Sequence, residues 1–90
     1  MSAVKIPSVL RPAVGGAREL DIDGATIREL ITRLTEQHPS LRQQLLADDG
    51  GLNRFVNVYV NGQDVRYLQG LDTPIESRDE VRLLPAMAGG

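Results

Sequence analysis

The sequence predicts an α+β fold, a mixed sheet of four to five strands crossed by one main helix, and three observations predict it. Residues 3–6, 19–23, 55–60 and 79–84 carry apolar side chains at a period of two, the mark of strands with one buried face. Between the second and third of these runs, Ile27, Leu30, Ile31 and Leu34 fall at the spacing of a single apolar helix stripe. Asn61-Gly62 then follows directly on the third run, and that dipeptide is the strongest short hairpin signal.

Each element has its own local reason. Val4 and Ile6 point inward from a first strand that stops at Pro7. Residues 9–16 contain Pro12 and Gly15-Gly16, which suits a loose turn leading to a second strand with Leu20 and Ile22 on one face. Thr26 and Glu29 form a capping box, each side chain satisfying an orphan N–H of the other. Arg28, Glu29, Thr32, Arg33 and Glu36 occupy the polar side of that helix, which ends near His38 because Pro39 restricts the residue before it. Leu41, Leu45 and Leu46 suggest a short second helix after a Ser40 cap, closed by the polar loop Asp48-Asp49-Gly50-Gly51. The strand at residues 55–60 turns at Asn61-Gly62, and residues 64–67 return as a shorter strand. An irregular connection with Pro74 leads to the last strand, residues 79–84, and Pro85 keeps it from continuing as a central one. This order of strands and helices is that of the β-grasp fold. A split α+β sandwich with another strand order is equally compatible with the periodicities.

Ninety residues make one domain, residues 1–85, followed by a flexible tail at residues 86–90. With three aromatics (Phe55, Tyr59 and Tyr67), the core must be mainly Val, Leu and Ile. A net charge of −2, with basic residues spread along the chain, argues against capture of nucleic acid, which needs a concentrated cationic face. No apolar run is long enough to span a bilayer and no signal peptide is evident, so the expected compartment is cytoplasmic. The absence of cysteine removes disulfides and thiol chemistry.

No catalytic constellation is expected, and no metal site. His38 is the only histidine and stands at a helix end, where a capping or surface role suffices. Asp48-Asp49 and Asp79-Glu80 suit solvated loop and strand-entry positions. Gly15-Gly16 and Gly50-Gly51 lack a following phosphate-binding lysine and read as turn glycines. The informative stretch is the end of the chain, Ala86-Met87-Ala88-Gly89-Gly90. A tail of small residues can thread a narrow channel, and its glycines accept whatever backbone the channel imposes.

That ending, joined to the β-grasp order, resembles ubiquitin-like proteins and more closely the ThiS/MoaD sulfur carriers, above all the CysO-type. The residues that carry the resemblance are Ile6-Pro7 and Leu10-Arg11-Pro12 with Gly15-Gly16, residues 54–61, Asp64-Val65-Arg66, Gly70-Leu71 and residues 84–90. The resemblance implies that Gly90 is adenylated by an E1-like enzyme using ATP and converted to a thiocarboxylate. That thiocarboxylate then donates sulfide to an acceptor enzyme, most directly a PLP-dependent cysteine synthase. Molybdopterin, thiazole or thiosugar synthases are other acceptors for the same chemistry, and covalent protein modification is a further use of it. No bound cofactor is implied for the chain itself. Gly89, Ala88, Met87 and Ala86 would be the residues recognised as the tail enters a partner.

Alternation assigns Val56, Val58 and Val60 to the face beneath the helix, with Phe55 and Tyr59 on the open face. In the last strand Val81 and Leu83 point inward, leaving Arg82 and Leu84 outward just before the tail. Phe55, Tyr59, Arg82 and Leu84 are thereby the expected docking patch.

Overall fold

The computed structural model describes residues 1–85, and the expected tail at residues 86–90 lies outside the described residues. The strands are β1 (Ser2–Lys5), β2 (Glu19–Ile22), β3 (Val56–Val60), β4 (Gln63–Asp64) and β5 (Glu80–Pro85), with helices α1 (Ile27–Gln37) and α2 (Arg42–Leu45). They form one mixed sheet in the order β2-β1-β5-β3-β4. The last strand is therefore the middle one. It runs parallel to β1 and antiparallel to β3.

Alternation decides which side of this sheet is dry. Val4, Val58, Val60, Val81 and Leu83 all face α1 and are buried, as are Ile27, Leu30, Ile31 and Leu34 on the helix stripe. Fully burying side chains of this size contributes roughly 1.5–3 kcal/mol each, so the helix–sheet interface dominates the stability of the domain. Gly24 lets the chain enter α1 closely: a Cβ there would lie 2.8 Å from the backbone nitrogen of Leu30.

Capping follows the sequence with one change of partner. The Glu29 N–H donates to Thr26 Oγ1 at 3.2 Å, but the Glu29 carboxylate accepts from the Ala25 N–H at 3.3 Å rather than from Thr26. The helix closes at His38, whose N–H reaches the carbonyl of Leu34. Residues 8–14 wind into a 3₁₀ segment that buries Leu10 and Val14, more ordered than the loose turn expected there. Ser40 does not cap the next helix. Its hydroxyl donates to the Ala13 carbonyl at 3.4 Å, and a 3₁₀ turn at Pro39–Leu41 leads into α2 instead.

The hairpin turn has both Asn61 (φ 51°) and Gly62 (φ 87°) at positive φ, as a type I′ turn requires. The return strand is shorter than expected. Asp64 accepts from the Arg66 N–H at 2.8 Å, which turns residues 65–67 into a 3₁₀ segment and drives Val65 into the core. Asn61 has a second role: its side chain accepts from the Glu80 N–H and donates to Asp79, each at 2.9 Å, fixing where β5 begins. The Glu76 N–H, and after it the Asn61 amide, holds the Asp79 carboxyl below its ordinary range.

Candidate functional site at the end of the last strand

The geometry that matters is where β5 delivers the chain. Pairing with β1 covers Glu80 to Arg82 only, while pairing with β3 continues to Val56 opposite Pro85. By Pro85 the strand has a neighbour on one side alone, the edge condition in which proline is tolerated. The described chain thus ends on the most supported strand of the sheet.

On the open face the registers place one residue from each strand in a single row: Glu19, Lys5, Arg82, Tyr59 and Asp64. Two of the expected docking residues, Tyr59 and Arg82, are therefore directly opposite each other. Leu84 stands one step further along, opposite Asn57, and is 37% exposed. Within the row Lys5 is ion-paired with Glu19, whose hydrogen bond and charge raise the lysine above its ordinary pKa. Arg82 reaches Glu80 at 3.2 Å.

Phe55 is exposed, at 58%, but it does not join this row. Its N–H donates to the Asn53 side chain at 2.9 Å, so residues 54–55 form a turn and strand pairing starts only at Val56. The Arg54 guanidinium lies 4.9 Å from the Phe55 ring centre. Phe55 borders a concavity shared with Val9, Gln43, Gln44 and Pro85, at the end of the sheet rather than on its open face. The four expected residues thus divide between the open face of the sheet, with Tyr59, Arg82 and Leu84, and an apolar rim with Phe55. Val9, 63% exposed on the 3₁₀ segment, belongs to that rim, and nothing in the sequence marks it as more than an ordinary turn residue.

A second feature is equally invisible in the sequence. Lys5, Arg11, Arg18 and Arg82 line one groove with Glu19, Leu83 and Leu84. Among the described residues, no cluster of three or more His, Asp or Glu side chains could hold a metal ion. No helix there is long and apolar enough to cross a membrane.

A mixed sheet with the last strand at its centre and one long helix across it is the ubiquitin-like β-grasp fold. Comparison with known proteins agrees and narrows the class. The ThiS family model matches residues 4–90. Sulfur carrier protein CysO of Mycobacterium tuberculosis is 42% identical over 89 residues, covering 97% of this chain and 96% of that protein. A chain of the Amycolatopsis orientalis BexX/CysO complex superposes with a TM-score of 0.91 at 38% identity, covering 100% of both chains. Small archaeal modifier protein 1 of Methanosarcina acetivorans gives a TM-score of 0.86 at 30% identity, covering 99% of this chain and 95% of that one. The chain belongs to the ThiS family.

Proposed function

We infer that the chain is a sulfur carrier that works as a protein co-substrate through the carboxylate of Gly90. The observation that carries this reading is the position of β5. The most supported strand of the sheet ends at Pro85, beside an exposed apolar rim, and leads directly into a tail of small residues ending in Gly-Gly. The similarity to CysO sulfur carriers supports it.

The chemistry follows from the carboxylate. It is a poor electrophile until one oxygen becomes a good leaving group. Attack of the Gly90 carboxylate on the α-phosphorus of ATP forms an acyl-adenylate and expels pyrophosphate. Hydrosulfide from the sulfur donor then attacks the carbonyl carbon and AMP departs, leaving a thiocarboxylate. That group is anionic and nucleophilic: its sulfur attacks an electrophilic acceptor substrate to form a thioester, and hydrolysis of the acyl C–S bond leaves the sulfur on the acceptor and returns the Gly90 carboxylate. An E1-like enzyme performs the activation with ATP, and a cytoplasmic cycle, where ATP is supplied, fits this reading. The acceptor we favour is a PLP-dependent cysteine synthase. Molybdopterin, thiazole and thiosugar synthases would accept from the same terminus.

Covalent protein modification is the second reading, favoured by the likeness to the archaeal modifier. The only lysine, Lys5, lies within β1 and is paired with Glu19, so its ammonium is stabilised against acting as an amine nucleophile. If the chain modifies proteins, lysine-linked polymers of it are not expected.

The test is the intact mass after incubation with an E1-like enzyme, ATP and a sulfur donor. Replacement of one oxygen by sulfur is expected. No change with an enzyme shown competent on another carrier would overturn the reading. The rim has its own test. Phe55→Ala should weaken binding to the activating enzyme about tenfold, in the range of an interface hot spot of ~1.4 kcal/mol or more. Its thermal midpoint should hardly move, because the ring is 58% exposed. Unchanged binding with a large loss of stability would instead make Phe55 a core residue.

A further inference from the structure

The groove lined by Lys5, Arg11, Arg18 and Arg82 concentrates charge against the trend of the whole molecule. Among the described residues it is lined by four cationic residues and one carboxylate, Glu19. Outside it the chain has six basic residues against eleven acidic ones, within a net charge of −2. Such a separation of sign is what steers and orients an oppositely charged partner.

Not all of these cations are already engaged. Lys5 is held by Glu19 and Arg82 by Glu80. Among the described residues Arg11 uses only its Nε–H, on the Ile6 carbonyl at 3.1 Å, which fixes the guanidinium and leaves both terminal nitrogens for another acceptor. Arg18 has no ion-pair partner among the described residues. Two guanidinium forks, one of them pre-positioned, match carboxylates in a bidentate geometry that an ammonium would not demand. The groove also includes Leu83 and Leu84, the last residues before Pro85. The groove therefore adjoins the strand end from which an enzyme would take residues 86–90.

We propose that the groove seats an acidic segment of the E1-like activating enzyme, flanking the channel that receives the tail. This rests on the sulfur-carrier reading. Charge recognition here sets how well the carrier is bound and leaves the adenylation step to the enzyme. Arg18 is therefore a specificity residue for the partner.

The experiment measures ATP-dependent pyrophosphate release by the E1-like enzyme encoded in the same genome, against carrier concentration. Arg18→Glu should raise KM about tenfold or more with kcat unchanged, since a like-charge contact at an interface is costly. Arg18→Gln should fall between it and the unaltered carrier. Arg78→Glu, the same change of charge at an 84% exposed side chain beyond the other end of β5, should leave KM unmoved. The gap in KM between the Arg18→Glu variant and the unaltered carrier should narrow as salt is raised, through screening. The same order of affinities is expected with nucleotide-free enzyme, where no ATP phosphate can stand in for a carboxylate. Equal KM for the Arg18 and Arg78 variants, an effect confined to kcat, or one that requires bound ATP would overturn the groove assignment. Failure of the unaltered carrier to elicit any pyrophosphate release would overturn the carrier reading itself.

Discussion

Deleting Gly90 is expected to abolish thiocarboxylate formation and to leave the thermal midpoint of the domain where it was. The two halves of this expectation have separate causes. Among the described residues, the buried apolar side chains run from Val4 to Leu83 and form one cluster on residues that the deletion does not touch. The deletion leaves another glycine carboxylate, that of Gly89, at the terminus. What changes is reach. One residue spans at most about 3.3–3.6 Å, so a domain docked in the same place presents its carboxylate that much short of the α-phosphorus. A displacement of about 1 Å already costs about a hundredfold in a well-oriented reaction. The loss should therefore exceed the detection limit of the mass assay, and adding a residue after Gly90 should do the same from the other direction. Comparable sulfur loading of the deletion variant would sink the terminal-carboxylate mechanism and leave a non-covalent binding domain as the better account.

How far the sequence reveals this arrangement depends on whether a feature is local. The stripe of Ile27, Leu30, Ile31 and Leu34 is buried as its spacing requires, and Asn61-Gly62 turns as its conformational preference requires, because both are set within a few residues. Residues 64–67 mislead for a reason that lies elsewhere in the chain. The Arg66 guanidinium donates to the Asn57 side chain at 2.7 Å and to the Asn53 carbonyl at 3.0 Å, and together with the Asp64 cap this favours a 3₁₀ turn over two more ladder pairs. Phe55 misleads through its neighbour Asn53, whose side chain takes the Phe55 N–H and delays the strand by one residue. The central place of β5 and the cationic groove share one cause that no periodicity contains. Parallel pairing of β1 with β5 sets Lys5 beside Arg82, and basic residues that look dispersed in the chain converge. The tail is the reverse case. Its candidate chemistry is carried entirely by residue identity and position at the end of the sequence.

The strand that leads to the tail supplies the other large effect, at two adjacent residues with opposite consequences. Leu83 is fully buried and faces Val58 across the central strand pair, whereas Leu84 is 37% exposed on the open face opposite Asn57. Truncating a buried leucine to alanine removes its transfer free energy and leaves a cavity, at a cost of about 2–5 kcal/mol. A domain of this size has roughly 5–15 kcal/mol in total. Each kcal/mol lowers the midpoint of a small domain by about 4–8 °C, so Leu83→Ala should melt roughly 10 °C or more below the unaltered chain. Leu84→Ala should shift the midpoint by no more than a few degrees and instead weaken binding to the activating enzyme. Below its own transition Leu83→Ala should still be loaded with sulfur, because its terminus and its docking face are intact. Thermal unfolding by circular dichroism, read beside loading at two temperatures, separates the two. Equal losses of stability for both variants would show that the alternation of β5 does not divide core from contact surface. A carrier that loads equally well when unfolded would show that the domain contributes nothing to presenting its tail.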